Sequence, residues 1–205
     1  MNGIFCVFEG IDGSGKSTQS RMLYEFTLNH GINSLFLHEP TEGFFGKKIR
    51  EILKSNTLPP VLQQIDLFIK DRHDDVELNI KPALTRGDVI IMDRYFYSNA
   101  AYQGGVEFDA IDIIKMNIDE GFPLPHRVYF IDILPQEAMN RIQLRRNGNI
   151  ELFEKIDFLT KVRDNYLKLI DERFLVIDGN RDINEIHREI KDDFLKLLKI
   201  HGRIM

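Results

Sequence analysis

Gly10-Ile11-Asp12-Gly13-Ser14-Gly15-Lys16-Ser17, with Thr18 directly after it, is the stretch whose reading decides the fold. An apolar run, Ile4 to Phe8, precedes it and reads as a buried strand. The segment after it spaces Met22, Leu23 and Phe26 as one face of a helix. Strand, G-x-x-x-x-G-K-S and helix, in that order, make a P-loop together with the context that confirms it. The glycines let the backbone turn its N–H groups inward around phosphate oxygens, and the helix N-terminus adds the positive end of its dipole. The whole run from Gly10 to Thr18 is therefore a candidate nucleotide cradle. Lys16 is expected to reach the β- and γ-phosphates, and the Ser17 hydroxyl to sit on Mg²⁺.

Working outward, 205 residues and 24.0 kDa suit one domain, 1–205, with a sizeable core. The net charge of −5 argues against a general nucleic-acid or anionic-membrane binder, since both need a basic surface. The one cysteine, Cys6, lies inside the first strand and can form neither an internal disulfide nor a cysteine metal cage. No apolar run approaches the ~20 residues of a membrane span. The chain enters a strand almost at once, which leaves no room for a signal peptide, so a cytoplasmic location is expected.

Four further short apolar runs follow: Ser34 to Leu37, Val89 to Met92, Val128 to Ile133 and Phe174 to Ile177. Helical patterns separate them, including a long one from Val61 to Leu84 with Leu62, Ile65, Phe68 and Ile69 on one face. Pro82 near its end predicts a kink or an early finish. Continuous rather than alternating apolar strands, interleaved with helices, predict an α/β fold. Its five-stranded parallel sheet carries helices on both faces. Ligands then gather at the carboxyl ends of the strands.

Those ends carry the chemistry. Asp93 closes a strand in the Walker-B manner and is a candidate Mg²⁺ ligand, with Arg94 next to it. Arg72 follows Phe68 by four residues, so a ring and a guanidinium share a helical face and could stack on a planar base and bond its edge. The plain alternatives are a core phenylalanine and a solvated surface arginine. Arg141, Arg145 and Arg146 precede Asn147-Gly148-Asn149 and read as a lid, about 141–154, that closes cations over a transferring phosphoryl group. No Asn-Lys-x-Asp guanine-reading motif and no H-E-x-x-H spacing occurs. The residues alone predict a Mg²⁺–ATP-dependent small-molecule kinase.

Phe8 to Gln19 resembles the P-loop of thymidylate kinases. Asp93-Arg94-Tyr95-Phe96-Tyr97-Ser98-Asn99-Ala100-Ala101-Tyr102-Gln103-Gly104 is similar to their D-R-Y-x-x-S-x-x-A-Y-Q-G signature, and Leu67 to Arg72 to their L-F-x-A-D-R helix. The resemblance spans essentially the whole chain. It implies the P-loop NTPase, nucleoside monophosphate kinase fold and transfer of a phosphoryl group from ATP, with Mg²⁺, to thymidine 5′-monophosphate (dTMP). By resemblance Arg94 binds the acceptor phosphate, Phe68 stacks on thymine, Arg72 meets its O4 edge and Asn99 or Ser98 its N3 side. Asp12 approaches the sugar 3′-hydroxyl and Tyr102 fills the space of a ribo 2′-hydroxyl. Glu39 and Gln103 complete the implied acceptor set, Arg141 joins the P-loop on the donor, and a homodimer is implied.

Three departures stand out. The family's R-E-P-G-G-T is His38-Glu39-Pro40-Thr41-Glu42-Gly43 here. Gly13 stands where one subgroup carries a basic residue, which assigns this chain to the subgroup with a lid arginine. Yet the lid's D-R-[FI]-E is Glu151-Leu152-Phe153-Glu154, which leaves Arg145 or Arg146 to supply the catalytic cation. Two rivals remain. One is a deoxynucleoside kinase, whose hydroxyl acceptor needs a carboxylate base such as Glu9 or Glu39; the other is a non-catalytic nucleotide-binding module with a decayed lid.

Overall fold

A computed structural model describes residues 3–55, 57–146 and 152–202; for residues 144–146 and 152–154 it describes the backbone only. The apolar runs form β1 (Ile4–Glu9), β2 (Ser34–His38), β3 (Val89–Asp93), β4 (Arg127–Asp132) and β5 (Phe174–Asp178). All pair in parallel, in the order β2-β3-β1-β4-β5. β1 lies at the centre and every one of its residues is buried, as its unbroken apolar run requires. Alternate residues of β1 feed two cores, Phe5 and Val7 on one face of the sheet and Ile4, Cys6 and Phe8 on the other. The sheet is thus covered on both sides.

The P-loop leads into α1 (Lys16–Asn29), and β2 into α2 (Phe44–Lys54). The long helical stretch is α3 (Val61–Asp75), a π-helical turn (Val76–Ile80) and α4 (Lys81–Arg86). The helical run does not finish early, since it continues to Arg86, but a π turn interrupts its α pattern just before Pro82. The proline sits in the first turn of α4, where a missing N–H is tolerated. Leu62, Ile65, Phe68 and Ile69 all fall within α3; Ile65 is buried, whereas Leu62, one turn earlier, is exposed.

β3 leads into α5 (Phe96–Gln103) and then α6 (Ala110–Asp119), whose Asp109 and Asp112 form a reciprocal capping box. α7 (Pro135–Arg146), α8 (Leu152–Lys168) and α9 (Ile183–Ile200) complete the fold. α8 crosses back over α5: Asn165 Nδ2 donates to the carbonyls of Ala101 and Gly104, both at 3.0 Å. Among the described residues no helix is long and apolar enough to cross a membrane.

Candidate active site

The phosphate loop is shaped by two close approaches. Gly10 has φ +147° and Gly13 φ +86°, and a Cβ at either would stand 2.6 Å from a backbone carbonyl, that of Ile131 or of Ala138. Any side chain at position 13 would therefore collide with α7, which is a structural reason for glycine there. The loop delivers Lys16 into a nearly closed position, 3.7 Å from Asp12 Oδ1. Burial, reinforced by the Arg94 charge, pushes the Lys16 pKa down to about 8. Ser17 stays exposed on the first turn of α1. Asp93 ends β3 opposite Phe8 of β1, and its Oδ1 is buried with no hydrogen-bond partner among the described residues.

Arg94 has a backbone no sequence pattern foretells. At φ +71° it is the one non-glycine among the described residues in the left-handed region, and its N–H donates to Phe8 O at 3.0 Å. Such strain is kept where the surroundings over-determine it. Here they do. Nη1 donates to Ser98 Oγ at 2.8 Å, Nη2 donates to Asp12 Oδ1 at 2.5 Å, and the guanidinium lies 5.1 Å from the centre of the Tyr102 ring. Tyr102 in turn accepts from the Asp12 N–H at 3.0 Å. Desolvation works against the Asp12 carboxylate, but Arg94 and Lys16 outweigh it and hold its pKa below the usual range.

Behind Arg94 lies a buried knot. Glu9 Oε1 accepts from the N–H groups of Tyr95 and Ser98, at 2.8 and 3.2 Å. Its Oε2 accepts from Ser98 Oγ at 2.6 Å and Tyr166 OH at 2.8 Å. Burial raises the Glu9 pKa against these donors. With four donors aimed at it, Glu9 has no lone pair left to take a proton from a substrate hydroxyl. Ser98 likewise spends its hydroxyl on Glu9 and Arg94.

A cavity of about 190 Å³ opens beside this knot. Asp12, Glu39, Phe68, Arg72, Arg94, Ser98, Asn99, Tyr102 and Gln103 all line it, so the whole acceptor set read from the sequence is brought together. Pro40, Leu53 and Tyr95 line it too, and no motif marks Leu53. Phe68 is only partly buried and belongs to neither core, which removes the plain-core alternative. Arg72 is no surface charge either, being shielded from bulk solvent. Its Nε and Nη2 meet Glu39 Oε1 and Oε2 at 3.1 and 2.5 Å, and burial pushes the Glu39 pKa up to about 8 even against that charge. Asn99 donates Nδ2 to Gln103 Oε1 at 3.1 Å, while its own Oδ1 is buried without a partner among the described residues. A planar apolar ring, buried donors on Arg72 and an unmatched acceptor on Asn99 suit a base with adjacent keto and N–H groups.

Residues 8–190 match the family model for thymidylate kinase. The chain belongs to the thymidylate kinase family. It is 38% identical over 196 residues to a thymidylate kinase of Leptospira interrogans serogroup Icterohaemorrhagiae serovar copenhageni (strain Fiocruz L1-130), covering 96% of each chain. A thymidylate kinase of Thermoanaerobacter sp. (strain X514) is 38% identical over 206 residues, 97% of this chain and 100% of the relative. A probable thymidylate kinase of Archaeoglobus fulgidus (strain ATCC 49558 / DSM 4304 / JCM 9628 / NBRC 100126 / VC-16) is 38% identical over 194 residues, 93% and 96%.

The departures from the family pattern now have a physical setting. In the loop after β2, Thr41 donates its N–H and hydroxyl to the two Asp71 oxygens, at 2.8 and 2.6 Å. The extra acid, Glu42, pairs with Arg50 at 2.9 Å, and Arg50 also donates to Pro40 O at 2.8 Å. The acidic loop is thus neutralised from within the fold. On the donor side a second cavity, about 230 Å³, is lined by Ser14, Gly15, Thr18, Gln19, Arg141 and Arg181 among others. Arg141 stitches that wall together by donating to Ser14 O at 3.3 Å and Gly179 O at 2.8 Å. Arg181 is a second cation there, just past the carboxyl end of β5, where a parallel sheet directs ligands although no motif singles out the arginine. Arg145 and Arg146 end α7; their side chains, residues 147–151 and the Leu152 side chain lie outside what is described.

Proposed function

We propose that this protein transfers the γ-phosphoryl group of ATP to dTMP, yielding dTDP and ADP, with Mg²⁺ as the metal. The observation that carries the reading is the acceptor cavity. Phe68, Arg72 and Asn99 line it together with Arg94 and with Asp12 of the phosphate loop, which supports a slot for the base and a cation for the acceptor phosphate in one cavity. The acceptor phosphate is already ionised, so the reaction needs fixed positive charge rather than a base. Arg94 supplies that charge to the acceptor and Lys16 to the donor. The Glu9 and Glu39 carboxylates, the two bases nominated for the rival nucleoside-kinase reading, are committed to Ser98, Tyr166 and Arg72.

Asp12 stands between the two cations, holding Arg94 and Lys16 while leaving most of its own side chain open to a sugar hydroxyl. Tyr102 sits against Arg94 and the Asp12 backbone, which suits it to crowd a 2′-hydroxyl. The fit to Mg²⁺ rests on the unpartnered Asp93 Oδ1 and the exposed Ser17 hydroxyl, two hard oxygen donors beside the phosphate loop. When bound there with ATP, the ion would neutralise charge on the phosphate oxygens. A lid at about 141–154, with Arg145 or Arg146 over the transferring group, completes the reading, as does association into a homodimer.

Steady-state turnover across nucleoside monophosphates and thymidine tests this. dTMP is expected to be the preferred acceptor, with thymidine inert. Turnover of thymidine but not dTMP would overturn the reading, and binding of both nucleotides without any diphosphate would leave only a binding module.

A further inference from the structure

We infer that Asn117 of α6, which no motif marks, is a positioning residue for the acceptor base: it fixes the Arg72 guanidinium that faces the base in the cavity. The inference rests on the dTMP reading above.

Asn117 is completely buried in the last turn of a helix that is otherwise apolar on that side. A buried amide is costly unless both of its ends are bonded. Both are. Nδ2 donates to Ile113 O, one turn back in its own helix, at 2.8 Å. That bond settles which end of the amide is oxygen, because two oxygens would repel at this separation. Oδ1 therefore faces outward as an acceptor, and it takes Arg72 Nη1 at 2.5 Å.

The consequence falls on Arg72. Glu39 holds its Nε and Nη2 from the loop after β2, while the rings of Tyr95 and Phe122 flank the guanidinium at 5.2 and 5.9 Å. Glu39 alone would let the pair rock together with its loop. Asn117 adds a third hydrogen bond from a different element, across 45 residues of sequence, so the plane of the guanidinium is fixed against the body of the fold. Three of the five guanidinium N–H groups are then used. Those that remain are donors only. They donate to a keto oxygen on a pyrimidine and find no acceptor on an exocyclic amine, and they discriminate sharply only if the plane cannot turn.

The test measures kcat and both KM values for the wild type, Asn117→Ala and Asn117→Asp, with dTMP and dCMP as acceptors. Asn117→Ala is expected to raise KM for dTMP about tenfold, the loss of one charge-assisted hydrogen bond, and to narrow the preference over dCMP. KM for ATP and kcat should stay within about twofold. A merely structural role would lower the folded fraction, and so the apparent kcat, without touching KM for dTMP. In this buried site Asn117→Asp is expected to be a neutral acid. Its hydroxyl then donates to Ile113 O, its carbonyl accepts from Arg72, and the dTMP KM is restored. In an Arg72→Met background Asn117→Ala should have no further effect on that KM. An unchanged dTMP KM in Asn117→Ala overturns the inference, as does a loss shared equally by both substrates or one that persists without Arg72. If the wild type phosphorylates dTMP while Asn117→Ala behaves normally, only this inference falls. If the wild type ignores dTMP, the acceptor reading fails and takes the inference with it.

Discussion

The two arginines that line the larger site cavity beside the phosphate loop, Arg72 and Arg94, are built on opposite principles. Arg72 is locked: solvent-shielded, paired to a buried carboxylate, flanked by two rings and capped by a neutral amide. Arg94 is poised on a strained backbone, and its acidic partner Asp12 is 60% exposed. A carboxylate so open to water is a weak, exchangeable partner, whereas the buried Glu39 is not. Recognition of a neutral base calls for a donor array that cannot move. Handling a phosphate that arrives, reacts and leaves calls for a cation whose partner can be replaced.

The sharpest way to break this comparison is to remove each arginine in turn. Arg94→Gly keeps the positive φ at no cost, so folding stability should hold or rise by up to about 1 kcal/mol. Its kcat/KM for dTMP should meanwhile fall about a thousandfold or more. A variant of near-normal activity would remove Arg94 from the chemistry. Arg72→Met should behave the other way round. It leaves the buried Glu39 oxygens and Asn117 Oδ1 without the three hydrogen bonds Arg72 donates, which costs about 3 kcal/mol in urea unfolding at neutral pH. If the two variants lose similar stability, the contrast between locked and poised does not hold.

Smaller effects sharpen the comparison. The Arg94 charge also reaches Lys16 and helps hold its pKa near 8. Lys16 is charged below that value and neutral above it, so kcat/KM for ATP should decline as pH rises through about 8. A flat profile up to about pH 9.5 would mean that the lysine is not desolvated in the free enzyme. Phe68→Ala should raise KM for dTMP roughly tenfold and leave kcat nearly unchanged. An unaltered KM would show that the ring does not touch the base.

Local chemistry made part of this legible. The P-loop, the five apolar strands and the Asp93-to-Gly104 run each lie within a few residues of one another, where spacing alone dictates form. Boundaries moved by a residue or two, as with β2 gaining His38 and β3 gaining Asp93. Periodicity puts Leu62 and Ile65 on one helical face but cannot say that only Ile65 is covered, because burial depends on where the packing partners end. Asn117 gave no signal. One asparagine on an apolar helix face looks like an interruption until its partner 45 residues away is known.

The sequence by itself determined where phosphate would be held, because G-x-x-x-x-G-K-S between strand and helix carries its own backbone chemistry. It also determined the parallel α/β layering, because unbroken apolar strands can be buried only between two layers of helices. What only the tertiary structure decided is the charge state and rigidity of the site. Arg72 reads as a surface residue until Glu39, 33 residues earlier, is folded against it. Glu9 reads as a free base until Ser98 and Tyr166 close over it. Burial and pairing depend on which distant groups meet, and no local pattern in the chain encodes those meetings.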